Sequence, residues 1–243
     1  MKLFLDTANL DEIQRALESG CISGVTTNPS LMAKEPKSDY LTHLSKIVDL
    51  LGHSDISLSV ETFSDDPETI IDQAKQFSLK LSYPHLAVKF HIDHGGKNNL
   101  SVVSRLEAGG ISVNCTACMT PMQAMMAASA GARYVSLFYN RIKDGLKQEF
   151  SQKRNLLIKD GIVEKSDFDP DNVIRETRTL IRDCSQTEII VGSIRTTLDI
   201  KRAGLAGAHI VTVPPKILWQ ATRHFQTDNA VERFFKDFQI WIS

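Results

Sequence analysis

"ISVNCTACMTPMQAMMAASAGARYVSLF", residues 111–138, contains a strand, a helix and a second strand with hardly a residue between them. The apolar run "ISVNCT" (111–116) leads to Thr120-Pro121, a hydroxyl cap followed by a first-turn proline, which is a helix-start signal. The helix stops near Gly131, and "YVSLF" (134–138) follows at once. Such a unit joins two parallel strands through a helix that covers the sheet.

The same round recurs in both directions. Toward the amino terminus, "KLFLD" (2–6) precedes Leu10, Ile13, Ala16 and Leu17 at helical spacing, with Asn9 and Glu12 as a capping pair and Gly20 as the stop. "GVTTN" (24–28) precedes a helix over 38–51, closed by Gly52. "SLSVET" (57–62) precedes a helix announced by Asp66 and Pro67, and "LAVKF" (86–90) one around 98–108. Toward the carboxyl terminus, "YVSLF" is followed by the longest connection and a helix near 171–182. "EIIVGS" (188–193) leads to a helix with Ile200 and Ala203, and "HIVTVP" (209–214) to one over 215–225. Eight strand–helix rounds in 243 residues fit a closed (β/α)8 TIM barrel spanning 1–227. An open doubly wound sheet is the alternative, but no glycine-rich phosphate fingerprint follows the first strand.

One element is left over. Residues 228–243 carry Val231, Phe234, Phe235, Phe238, Trp241 and Ile242 at helical spacing. This extra C-terminal helix either packs on its own barrel or docks on a neighbouring subunit. So aromatic a stripe favours the second reading and a homo-oligomer.

Composition narrows the partners. Apolar residues make up 42% and charged residues 23%, with a net charge of −1, which argues against nucleic acid and against an anionic membrane surface. No run approaches the ~18 apolar residues of a membrane span, and "MKLFLDTANLDE" is too short in its apolar part for a signal peptide. Four cysteines, Cys21, Cys115, Cys118 and Cys184, do not make a disulfide framework. A reducing cytoplasm is the expected setting.

In a barrel, the carboxyl ends of the strands build the active site. Here those ends are polar: Asp6, Thr26 and Asn28, Glu61, Lys89, Asn114 and Thr116, Ser136 and Phe138 with Arg141 just beyond, then Ser193 and Arg195. The two-residue period allows Thr26/Asn28, Ser59/Glu61, Asn114/Thr116 and Ser136/Phe138 each to face the axis, while Val113 and Cys115 face the helices. Fraying would explain one polar strand end, but hardly seven.

Lys89 interrupts an otherwise apolar strand. Desolvation disfavours the charged form of a lysine, and a neutral lysine attacks carbonyls to form a Schiff base. Asp6 and Glu61 can move protons, and Thr116 can hold a water. Asn28 and Asn114 suit hydroxyl groups, while Arg141, Ser193 and Arg195 suit a phosphate. The competing reading of Lys89 is a structural salt bridge to Asp6 or Glu61, which would not call for two arginines at the rim. Cys115 and Cys118 read as buried thiols rather than half a zinc site. His91, Asp93 and His94 read as solvated loop groups, and Met119, Met122, Met125 and Met126 as the filling of a helix face.

"FLDTAN", "GVTTNPSL", "VKF", "NCTACMTPMQAMMAASAGARYVSLFYNRI", "VGSIRT" and "TVPPKIL" together resemble the transaldolase family, in particular its small members and the fructose-6-phosphate aldolases. The resemblance runs in order through nearly the whole chain. It implies that Lys89 is the Schiff-base lysine, Asp6 a general acid/base, and Glu61 and Thr116 the handlers of the catalytic water. Asn28, Asn114 and Ser136 would bind a dihydroxyacetone unit, and Arg141, Ser193 and Arg195 the acceptor phosphate. The implied reaction, of the pentose phosphate pathway type, moves that unit between sugar phosphates without a metal or organic cofactor. The implied assembly is a pentamer or decamer.

The aldolase branch tends to carry glutamine at the position of Glu61 and tyrosine at that of Phe138. A phenyl ring cannot relay a proton to the enamine, so both residues point to transfer rather than release of dihydroxyacetone. Phe90-His91 and "IDHGGKNN" (92–99) depart from the family, which usually has a small apolar residue and proline after the lysine. A lyase, or a sugar-phosphate-binding protein with an unreactive lysine, are the other two readings.

Overall fold

Eight parallel strands close on themselves in a computed structural model that describes residues 1–243. They are β1 (Lys2–Asp6), β2 (Gly24–Thr26), β3 (Ser57–Glu61), β4 (Leu86–His91), β5 (Ser112–Cys118), β6 (Tyr134–Phe138), β7 (Glu188–Gly192) and β8 (Ile210–Val213). Each pairs with its neighbours in the chain, and β8 closes on β1 with Lys2 opposite Ile210 and Leu5 opposite Val213. The (β/α)8 barrel with an extra C-terminal helix is therefore the observed architecture.

The helices form where the capping chemistry directs. In α1 (Leu10–Glu18), Asn9 accepts from the Glu12 amide; the Glu12 carboxylate, expected to return the favour, instead takes the Thr7 hydroxyl. Asp66 caps α4 (Pro67–Leu81) and Thr120 caps α6 (Pro121–Ser129), each ahead of a first-turn proline. The other covering helices are α3 (Tyr40–Leu51), α5 (Leu100–Ala108), α9 (Pro170–Leu180), α10 (Thr197–Ala206) and α11 (Pro215–Gln220). Their buried faces and the outward residues of the strands form one apolar layer, including Leu5, Val88, Phe90, Val113 and Cys115. A fully buried Leu, Ile or Phe in it contributes about 1.5–3 kcal/mol.

Several expected boundaries move. A hairpin pairs Asp93–His94 with Lys97–Asn98 across Gly95 and Gly96, both at positive φ, so the helix expected from 98 begins at Leu100. The long connection after β6 holds two unforeseen helices, α7 (Tyr139–Asp144) and α8 (Ser151–Lys159), and α2 (Pro29–Met32) follows β2. The helix expected over 215–225 ends at Gln220. His224 then caps α12 (Phe225–Ile242), which starts three residues before the expected 228.

The helix α12 buries no residue at all. Phe234, Phe235, Phe238, Trp241 and Ile242 are 57–80% exposed, so its apolar stripe does not rest on its own barrel. No helix is long and apolar enough to cross a membrane.

Candidate active site

The barrel interior is sorted into an apolar floor and a polar storey. Phe4, Ala87, Tyr134, Ile190 and Ile210 point inward from the lower half and pack together, with Phe4 set edge-on to Tyr134. One step up the same inward-facing register, the period of two brings Asp6, Thr26, Ser59, Lys89, Asn114, Ser136 and Thr212. Polar side chains in a dry barrel persist only when they satisfy one another, and most of these do.

Lys89 is 6% exposed. Its Nζ donates to the Thr27 carbonyl at 2.7 Å and lies 3.0 Å from Glu61 Oε2, its neighbour across the β3–β4 register. Asp6, at the end of β1, lines the same cavity. Burial pushes its carboxyl above the usual range; Lys89 and the Thr26 hydroxyl oppose the shift, and the charge of Glu61 adds to it. Thr26 Oγ1 lies 2.8 Å from Asp6 Oδ1 and 2.6 Å from Thr212 Oγ1.

Across the barrel, Asn114 is fully buried. Its Oδ1 accepts from Ser136 Oγ at 2.6 Å and its Nδ2 donates to Ser59 Oγ at 3.1 Å. Thr116 Oγ1 has no hydrogen-bond partner although it is buried, which leaves one hydroxyl beside the cavity uncommitted. Asn28 spends its side-chain oxygen on the Leu31 amide as the cap of α2.

These groups open upward into a cavity of about 390 Å³. Eleven of the twelve residues singled out from the sequence line it: Asp6, Thr26, Asn28, Glu61, Lys89, Asn114, Thr116, Ser136, Phe138, Arg141 and Ser193. Arg195 does not. Its guanidinium is paired side-on with Asp144 at the end of α7, with Nη1 3.0 Å from Oδ1 and Nη2 bonded to the other oxygen. Ser193 has φ +59, and this left-handed turn redirects the chain so that strand periodicity no longer places Arg195.

The structure also brings in residues that sequence reasoning left out. Thr212 follows Ile210 at the inward period of β8, so the alternation that found its counterparts, Ser59 beside Glu61 among them, held that signal too. The Thr27 carbonyl carried none. The departures beside the lysine separate into two. Phe90 turns outward into the helix layer. His91 Nε2 lies 3.3 Å and His94 Nδ1 2.9 Å from the two oxygens of Asp65, so these imidazoles are tied to the loop after β3 rather than simply solvated.

A scan of protein-family models matches residues 3–241 to the family described as Transaldolase/Fructose-6-phosphate aldolase. The chain belongs to that family. Among curated relatives, it is 38% identical to a probable transaldolase of Syntrophobacter fumaroxidans, over 98% of this chain and 97% of the relative. It is 38% identical to another of Roseiflexus castenholzii, covering 99% and 98%. A third, from Symbiobacterium thermophilum, is 36% identical over 98% and 97%. The chain is thus an enzyme of the transaldolase/aldolase type by family, and the lysine, two carboxylates and amide–hydroxyl chain described above lie in the one cavity at its barrel mouth.

Proposed function

We propose that this enzyme transfers a dihydroxyacetone unit from a ketose phosphate to an aldose phosphate through a Schiff base on Lys89. The observation that carries the reading is Lys89 itself, a nearly buried amine that shares an open polar cavity with two carboxylates, one of them at 3.0 Å.

The steps follow from what stands where. The deprotonated Lys89 amine adds to the ketose C2 carbonyl. The carbinolamine loses water, with Glu61 and the uncommitted Thr116 hydroxyl holding that water, and an iminium forms. Asp6, whose raised affinity for a proton suits it to both halves of the exchange, takes the proton of the C4 hydroxyl. The electrons of the C3–C4 bond move onto the iminium, leaving an enamine on Lys89 and releasing an aldose phosphate. The enamine carbon then attacks the acceptor aldehyde, Asp6 returns its proton to the new alkoxide, and water hydrolyses the iminium to free the product ketose.

Asn28, Asn114 and Ser136 hold the hydroxyls of the three-carbon unit. Arg141 and Ser193 receive the phosphate. Arg195 joins them by leaving Asp144, whose carboxylate keeps Lys147 as a partner at 3.2 Å. Phe138 favours transfer over release, since it offers no hydroxyl to protonate the enamine. The exposed apolar stripe of α12 supports a homo-oligomer in which that helix covers, or is covered by, a second copy. Four free cysteines accord with a reducing cytoplasmic setting.

Borohydride reduction in the presence of a ketose phosphate tests the reading. The expected result is a stable adduct on the peptide containing Lys89, and none in Lys89→Met. No adduct on the wild-type lysine overturns the Schiff-base mechanism. Dihydroxyacetone release that is as fast without an aldose phosphate as with one overturns the transferase assignment in favour of a lyase.

A further inference from the structure

Behind the phosphate end of the cavity, one buried carboxylate oxygen joins two elements that are far apart in the chain. Asp199, in the first turn of α10, is 7% exposed. Its Oδ2 accepts from the amides of Arg195 and Thr196, each at 2.9 Å, and from Asn140 Nδ2 at 2.8 Å. Asn140 Nδ2 also donates to the Ser193 carbonyl at 2.8 Å, and the Asn140 backbone amide reaches the same oxygen at 3.4 Å. Burial alone would raise the Asp199 carboxyl. The hydrogen bonds from Asn140, Arg195 and Thr196 outweigh it and hold the group below its ordinary range, as a carboxylate.

Part of this network is ordinary helix capping, because Thr196 and Asp199 form a reciprocal cap on α10. Asn140 has no place in a cap. It belongs to α7, where its chain neighbour is Arg141, and it clasps the loop that carries Ser193 in a left-handed conformation no glycine relieves. α7 is also pinned at its start, where the Tyr139 hydroxyl donates to Asp171 Oδ1 at 2.6 Å. The two side chains that would grip a phosphate therefore ride on separate elements, and Asn140–Asp199 is the buried cross-piece between them.

We propose that Asn140 and Asp199 are positioning residues that align Arg141 with Ser193, so that the pair sets the preference for phosphorylated over unphosphorylated sugars without touching the reacting atoms. This rests on the transfer reaction proposed above. Because Lys89, Asp6 and Glu61 stand on β4, β1 and β3, away from the bridge, a loosened bridge should leave their chemistry intact.

The test uses Asn140→Ala, which removes the cross-piece and spares the cap, with the milder Asn140→Ser beside it because a hydroxyl can still donate to Asp199. Misplacing binding groups by about 1 Å costs up to about a hundredfold, so KM for the ketose phosphate should rise about tenfold or more in Asn140→Ala and less in Asn140→Ser. Borohydride trapping of unphosphorylated dihydroxyacetone on Lys89 should stay within about twofold of wild type, since a loss confined to KM marks lost binding rather than lost chemistry. An unchanged KM in both variants, or an equal fall for phosphorylated and unphosphorylated substrates, overturns the inference. Absence of any adduct in the wild-type protein overturns instead the reading on which it rests.

Discussion

Removing Lys89 and removing Glu61 should have unequal consequences for stability, and the inequality separates a working lysine from a structural ion pair. In Lys89→Met the stem remains and two contacts vanish, 2.7 Å to the Thr27 carbonyl and 3.0 Å to Glu61. The stranded Glu61 side chain keeps 21% of its surface open and can rehydrate through the cavity. The lost hydrogen bond costs about 1 kcal/mol, and relief from desolvating a cation, several kcal/mol per buried ion, offsets it. In Glu61→Ala the amine stays where it is, with the Thr27 carbonyl and the more distant charge of Asp6 for company. Breaking a buried pair from that side costs about 3–5 kcal/mol, which the open mouth of the cavity reduces to roughly 2–3. For a chain of this size each kcal/mol moves Tm by about 2–4 °C, so Glu61→Ala should fall by about 4–12 °C and Lys89→Met by no more than about 4 °C. Calorimetric or circular-dichroism melts at neutral pH and low salt measure both. If Lys89→Met loses as much as Glu61→Ala or more, the lysine is held there for the pair, and the argument that it is kept for chemistry fails.

Three further outcomes are expected. Asp6→Asn keeps an acceptor for Thr26 and removes a carboxyl whose affinity for protons is raised by folding. The folded wild type binds that proton more tightly than the unfolded chain, so its stability declines as pH rises above the ordinary carboxylate range near ~4. Melts from acid to neutral pH should show the Asn variant gaining on wild type as pH rises, while transfer activity is lost. Thr116→Val deletes a buried hydroxyl without a partner and should stabilise the fold by about 1 kcal/mol. A chemical-denaturation midpoint checks this, and the proposed role in handling water requires turnover to fall in the same variant. Gly24→Ala would place a Cβ 2.5–2.6 Å from three ring carbons of Phe4. The crowding should cost about 1–3 kcal/mol, and Phe4→Leu in the same chain should restore most of the loss in a thermal melt.

The period of the strands carried most of the site. Asp6, Glu61, Lys89, Asn114 and Ser136 share the inward parity of their strands, and a closed parallel barrel turns that parity into convergence. Where the backbone leaves the strand, the rule lapses. Arg195 stands two residues past Ser193, and a single left-handed residue sends it to Asp144 instead. The hairpin at 93–98 was missed because two-residue strands have too little sequence to show a period. The Asn140–Asp199 bridge was illegible for another reason: its partners are 59 positions apart and meet only because β6 and β7 are adjacent. No local pattern encodes such a contact. The terminal helix was visible as an aromatic stripe, and its extension back to Phe225 depends on a histidine cap, which is not among the residues usually read as one.

The apolar floor under Lys89 has a kinetic consequence. Phe4, Tyr134 and their neighbours plug the barrel from below, so whatever reaches the lysine enters and departs by a single door. Under the proposed reaction, the first aldose must vacate that passage before the second can come in. Donor and acceptor then take turns, and initial-rate lines measured at several fixed donor concentrations should run parallel.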